Sequence, residues 1–263
     1  MNVAGANVLL TGASGGIGHA IARELARGGA KLTLTGRRTE LLEPLASEVG
    51  GHALGCDLAD RGDVDRLLHE VAEVDVFVAN AALPASGLLI ELTQEQIDRM
   101  LEVNLRAPIA LARALSEQMI QRGRGHMVFV SSLSGKVASP ASSIYSATKF
   151  GLRGFGLGLR EDLHPHGIGV SVVLPGFIRD AGMFAEAEIE LPRGVGTRPP
   201  EDVARAVARA IERNRAEVEV APAGLRLGAN FAAVAPGIAS MVSRRIGSDR
   251  IATDLAQGQR NKR

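Results

Sequence analysis

The 263-residue chain has no tryptophan, and aromatic side chains fill only 3 % of its positions. Its single tyrosine, Tyr145, therefore does not belong to a general aromatic core. Lysine is nearly as scarce: Lys31, Lys136, Lys149 and Lys262 stand alone in a chain that otherwise takes its positive charge from arginine. One cysteine, Cys56, excludes an internal disulfide and fits a reducing, cytoplasmic compartment. A net charge of +1, with the arginines scattered, gives no electrostatic case for a nucleic-acid partner. The opening "NVLLTGASGG" lacks the charged, apolar and cleavage-site regions of a signal peptide. His164 and His166 fall in an expected turn, "HPHG", and no metal-binding set emerges.

What is present is alternation. Short apolar runs at 8–11, 31–35, 53–56, 74–79, 127–131, 170–174 and 218–221 read as strands. Segments with helical periodicity lie between them, at 17–28, 39–49, 61–71, 94–122, 145–163 and 200–213. Strands that are apolar throughout imply burial on both faces, and the alternation implies βαβ units. The expected fold is α/β, a single-domain, Rossmann-type doubly wound parallel sheet with helices on both faces. Residues 1–223 are expected to form this domain, and 224–263 a helical C-terminal extension of it. No repeat, low-complexity tract or long linker divides the chain.

The first strand runs into the first helix through Thr11–Gly18, "TGASGGIG". Glycines there allow a sharp turn and close approach of a pyrophosphate, and the helix offers free N–H groups to it. At the end of the second strand an NAD site usually places an acid, about twenty residues past the loop. Here the residues are Gly36-Arg37-Arg38. Without the acid a 2′-phosphate is not repelled, and Arg37 can donate paired hydrogen bonds to it. The expectation is NADP(H) in preference to NAD(H); the plainer reading is two solvated arginines opening the next helix.

Tyr145 and Lys149 are four residues apart in "YSATK", on one face of an expected helix. With the loop, these motifs resemble those of the short-chain dehydrogenase/reductase family over nearly all of residues 5–222. "TGASGGIG" fits the family's T-G-x-x-x-G-x-G. "CDLAD" resembles the segment after strand three, where Asp57 and Leu58 would meet the adenine. "NAA" at Asn80–Ala82 resembles N-A-G after strand four. Asn104 in "EVNL" matches the catalytic asparagine, and Ser132 in "VSSLSG" lies at the family's serine position. "YSATK" is the Y-x-x-x-K motif, and "LPGF" resembles the proline-glycine turn beside the nicotinamide.

The resemblance implies a catalytic set of Asn104, Ser132, Tyr145 and Lys149. Tyr145 would give a proton to a carbonyl oxygen during reduction, and Ser132 would hydrogen-bond the same oxygen. Lys149 would hold the nicotinamide ribose and, as a nearby cation, lower the phenol's pKa. Asn104 would anchor a water that relays protons through Lys149. The implied cofactor-binding residues are Gly12, Ser14, Gly16, Ile17, Gly18, Arg37, Arg38, Asp57, Leu58, Asn80, Ala81, Tyr145, Lys149, Pro175, Gly176 and Ile178. Ser131 and Ser134 read as strand-end and turn serines.

Departures narrow the reading. Asp180 stands where the family often has a threonine that contacts the nicotinamide carboxamide. The chain also lacks the short "DGG"-like ending of many carrier-protein ketoacyl reductases; "EVEVAPAG" continues into some forty further residues instead. Phe177, Ile178, Met183, Phe184, Ile189 and Leu191 suit either a lid over an apolar carbonyl substrate or ordinary loop anchoring. Glu186, Glu188 and Glu190 are expected to face water. Residues 227–242 carry no charge, yet this run is too short to span a bilayer and Pro236-Gly237 interrupts it. It reads as a pocket cap, a homodimer or other homo-oligomer contact, or a helix on a membrane surface. The sequence thus describes an NADP(H)-dependent oxidoreductase that interconverts a ketone or aldehyde and an alcohol on a small apolar substrate. The alternatives are a 3-oxoacyl reductase on acyl thioesters and a non-catalytic NADP-binding regulator.

Overall fold

The computed structural model describes residues 1–71, 73–84, 87–182, 196–238 and 241. The apolar runs form seven strands: β1 (Asn7–Thr11), β2 (Lys31–Gly36), β3 (His52–Gly55), β4 (Val76–Ala79), β5 (Gly125–Val130), β6 (Ile168–Pro175) and β7 (Glu217–Val220). They lie in one parallel sheet of order β3-β2-β1-β4-β5-β6-β7. Every residue of β5 and β6 is buried, as strands covered on both faces require.

Eight α-helices surround it among the described residues: α1 (Gly16–Arg27), α2 (Thr39–Val49), α3 (Arg61–Glu70), α4 (Gln94–Leu101), α5 (Ala107–Arg122), α6 (Ser143–Leu163), α7 (Pro200–Arg213) and α8 (Ala223–Val234). Successive strand residues point to opposite faces, so β1 divides its side chains between two cores. Val8 and Leu10 join Ile21 and Leu25 of α1, Leu42 of α2, and Val207 and Ile211 of α7. Leu9 joins Leu67 of α3, Leu111 and Leu115 of α5, and Leu152 of α6 on the other side. At roughly 1.5–3 kcal/mol for each large apolar side chain removed from water, these layers supply most of the driving force for folding.

The strand order reverses direction at β1, which has β2 on one side and β4 on the other. The crevice outside the carboxyl ends of β1 and β4 is where open parallel sheets receive ligands.

One helix differs from the sequence reading. The 94–122 pattern is not continuous: a π-helical turn, Glu102–Arg106, separates α4 from α5, and the Ala107 N–H reaches back five residues to the Glu102 carbonyl. Pro108 accounts for the break, because it has no N–H to give the Asn104 carbonyl four residues earlier.

Candidate active site

Gly12, just after β1, lies in the left-handed region at φ +67°. A Cβ there would lie 2.6 Å from the Ala81 Cα, so only glycine lets the loop close on the segment after β4. The Asn80 side-chain amide donates to the Thr11 and Gly12 carbonyls at 3.2 and 3.1 Å. The Asn80 and Ala81 N–H groups both donate to the Thr11 hydroxyl. Asn80 thus acts on the glycine loop from across the switch point. Gly15, the N-cap of α1, offers no side chain to the first-turn N–H groups, and no acid lies in that turn. Such a cradle, with backbone donors and room only for glycine, fits a pyrophosphate. Ser14, Gly16, Ile17 and Gly18 complete it, and Ala181, after β6, packs on Gly16 where a Cβ would be 2.6 Å from its own.

The two arginines after β2 do different things. Arg38 donates to the Ser14 carbonyl at 3.0 Å and so braces the loop. Arg37 lines a recess of about 520 Å³ with Gly55, Cys56, Asp57, Asp63 and Arg66. Burial works to raise the Asp57 carboxyl, but the Ala59 N–H, the Arg99 guanidinium at 2.9 Å and the charge of Arg37 hold it below its ordinary value. Leu58 beside it is buried. Cys56 is no nucleophile here, since burial pushes its thiol up to about 11.

The carboxyl ends of β5 and β6 and the start of α6 carry the remaining groups. The Ser131 hydroxyl donates to the Lys149 carbonyl at 2.9 Å and so fastens α6 to β5, more than the strand-end role expected for it. Ser132 directs its hydroxyl toward the Tyr145 phenol and the Pro175 carbonyl, the latter a long contact of 3.4 Å. It also accepts from the Ser134 N–H. Lys149, 2 % exposed, donates to the Val130 carbonyl at 3.1 Å, with its Nζ 5.7 Å from the centre of the Tyr145 ring.

This geometry corrects the expected effect on the phenol. The Lys149 ammonium, 5.7 Å from the ring centre and bonded to the Val130 carbonyl, does not outweigh the burial of the hydroxyl. Desolvation instead pushes Tyr145 up to about 12, with the Ser132 hydrogen bond offsetting part of that rise. The direction leaves the phenol protonated at neutral pH. Burial lowers Lys149 to about 8.

Asn104 is fully buried in the π turn. Its amide donates to the Leu83 carbonyl at 2.9 Å, and its oxygen accepts from the Leu83 N–H at 2.7 Å. The side chain is thus committed to the segment after β4. Pro175 and Gly176 close β6, with the Gly176 N–H donating to the Val220 carbonyl. Ile178 is buried and forms a bridge with Arg198. Asp180 adopts φ +64° with an exposed side chain 3.4 Å from Arg179. Met183, Phe184, Glu186, Glu188, Ile189, Glu190 and Leu191 lie outside the described residues. No cluster of metal-ligating side chains occurs among those described. Sequence reasoning did not single out Thr11 or Arg99 for their bonds to Asn80, Ala81 and Asp57; their partners are distant in sequence and carry no local pattern.

Comparison with known proteins points to one family. The family model described as short chain dehydrogenase matches residues 6–191. Nodulation protein G of Rhizobium meliloti (strain 1021) is 38 % identical over 183 residues, 67 % of this chain and 75 % of that protein. Ketoacyl reductase HetN of Nostoc sp. is 33 % identical over 225 residues, 82 % of this chain and 78 % of its own. Among solved structures, a short-chain dehydrogenase from Sphingobium yanoikuyae in complex with NADPH is similar at a TM-score of 0.77 and 30 % identity, covering 90 % of this chain and 95 % of that one. With a parallel seven-stranded sheet, a glycine cradle at its switch point and a match over most of its length, the chain belongs to the short-chain dehydrogenase/reductase family of oxidoreductases.

Proposed function

We propose that the protein is an NADP(H)-dependent oxidoreductase that interconverts a ketone or aldehyde and an alcohol on a small apolar substrate, with Tyr145 as the acid–base group. The observation that carries this reading is the convergence of Ser132, Tyr145 and Lys149 at the carboxyl edge of β5 and β6, beside a phosphate cradle. Gly12, Ser14, Gly16, Ile17 and Gly18 would hold the pyrophosphate, Arg37 the 2′-phosphate, and Asp57 and Leu58 the adenine. Asn80 and Ala81 would line the crevice, and Pro175, Gly176 and Ile178 the nicotinamide end. The bound cofactor supplies hydride.

The chain's own residues manage the proton and the charge. A neutral phenol at physiological pH is a donor to the carbonyl oxygen, and returns to that state by accepting a proton in the oxidative direction. Ser132 donates a hydrogen bond to the oxygen as negative charge develops on it. Lys149, buried and close to neutral pH in its titration, can pass a proton inward to the phenol. Because the Asn104 amide is occupied by Leu83, the atom it offers a relay water is its backbone carbonyl, left without an i+4 donor by Pro108. The NADPH in the Sphingobium relative supports the cofactor choice. Assembly as a homodimer or other homo-oligomer belongs to the same proposal.

The name of the Nostoc relative favours a second reading, reduction of a 3-oxoacyl thioester. Following NADPH absorbance with a panel of apolar ketones, aldehydes and a 3-oxoacyl thioester separates the two. Turnover of simple carbonyls at rates above the thioester supports the first. Tight NADPH binding with turnover of none contradicts both and leaves the regulator.

A further inference from the structure

Two of the three described lysines are buried, Lys149 at 2 % and Lys136 at 9 % exposure. Lys136 directly follows the 3-10 turn Leu133–Gly135, of which Ser132 is the N-cap, and its N–H donates to the Leu133 carbonyl at 2.9 Å to close that turn. Its ammonium pairs with Glu217 of β7 and, at 2.6 Å, with Glu219 of the same strand. It also donates to the Asn230 side-chain oxygen of α8 at 3.2 Å. Glu219 accepts in addition from Arg226 of α8 at 3.1 Å, and Glu217 from Arg153 of α6 at 2.5 Å.

Glu217 and Glu219 are two residues apart on one strand, so both side chains leave the same face of the sheet. Glu219 pairs in register with Leu174, next to the Pro175 whose carbonyl the Ser132 hydroxyl approaches. The turn carrying Ser132 is consequently held from two sides. Ser131 binds it to the Lys149 carbonyl of α6, and Gly135 permits the approach, since a Cβ there would be 2.8 Å from that same carbonyl. Lys136 binds its far end to β7 and α8. Buried ion pairs contribute little to stability compared with apolar residues of the same volume, so stability alone is a poor reason for this cluster. A compact ammonium, with three donors for three acceptors, suits the task of fixing one end of a short turn.

We propose that Lys136 is a positioning residue for Ser132, and that through Glu217, Glu219 and Asn230 it couples the docking of α8 to the placement of the serine hydroxyl against the Tyr145 phenol. The proposal rests on the acid–base reading above. The full chain with Lys136→Met, Ser132→Ala and both together forms a cycle in which kcat, carbonyl KM and NADPH Kd are measured. Lys136→Met should lower kcat roughly ten- to a hundredfold, as small misplacements of a catalytic group do, while NADPH Kd stays within about twofold. In the Ser132→Ala background the same substitution should cost less than about twofold, because the hydroxyl it positions is absent. Lys136→Arg, keeping the charge, should recover part of the loss. Asn230→Ala touches only the exposed α8 end of the cluster, and should show a smaller loss with the same cancellation even if Lys136→Met does not fold. An equal loss of kcat in both backgrounds, or an unchanged kcat in Lys136→Met and Asn230→Ala, overturns the proposal while leaving the acid–base reading intact. A wild type with no turnover overturns both.

Discussion

Gly36 and Arg37 bring the choice of cofactor down to one atom and one charge. Arg38 is committed to the Ser14 carbonyl, which leaves Arg37, in the recess beside Asp57, as the group that can meet a 2′-phosphate. A charge-assisted hydrogen bond is worth about 1.5–3 kcal/mol, so Arg37→Leu should weaken NADPH binding roughly ten- to a hundredfold and leave NADH unchanged. Adding Gly36→Asp should turn the preference toward NADH; its Cβ would lie 3.1 Å from the Ser14 Oγ, which must shift by a few tenths of an ångström. Titrating both cofactors at one ionic strength checks this, and equal losses for the two would make the arginine structural. The sequence made the pair visible, because a missing acid at a fixed distance from the loop is a local signal. It singled out Arg37 for the phosphate but not the bond of Arg38 to the Ser14 carbonyl, since that bond depends on where the glycine loop lies in space.

The π turn between α4 and α5 shows the same limit among elements. Periodicity over 94–122 is helical on both sides of the break, so an apolar pattern alone reads through it. Pro108 was the available signal, for a proline inside a helical pattern removes a backbone bond four residues back. Which side chain fills the gap is a tertiary fact: Asn104 turns inward and binds both polar groups of the Leu83 backbone. Asn104→Ala should leave those groups without partners in a buried site and cost about 1–3 kcal/mol in denaturant unfolding. Ordinary surface behaviour, within about 0.5 kcal/mol, would contradict that role. The sheet itself was legible throughout, since β5 and β6 are mostly apolar and uniformly buried.

Across the whole molecule, stability and activity should separate. His126, on β5 and 1 % exposed, shares a 2.9 Å hydrogen bond with Ser171; burial, with the positive N-terminus and Arg160 adding, pushes its imidazole down to about 3. The unfolded chain takes up this proton near pH 6.5, whereas the folded chain refuses it until about 3. Its contribution is therefore fully present above pH 6.5 and is lost as the pH falls toward 3, at up to about 1.4 kcal/mol per unit. Thermal unfolding of His126→Gln should be flatter than the wild type between pH 6.5 and 4, and parallel curves would contradict this. Helix α8 sits at the other extreme. It docks through Arg226, Asn230, Ala229 and Ala232 and leaves Leu227, Phe231 and Val234 exposed. Ending the chain after Gly224 should keep cofactor binding while reducing turnover, assembly or both; unchanged kinetics and mass by light scattering would remove the cap and oligomer roles together. All scales meet at Tyr145, whose protonated phenol is the proposed proton donor to a carbonyl oxygen. Turnover and NADPH affinity of Tyr145→Phe test this most directly. The expected result is a rate lower by about a hundred- to ten-thousandfold with NADPH binding nearly intact; a variant that keeps more than about a tenth of the wild-type rate would contradict it.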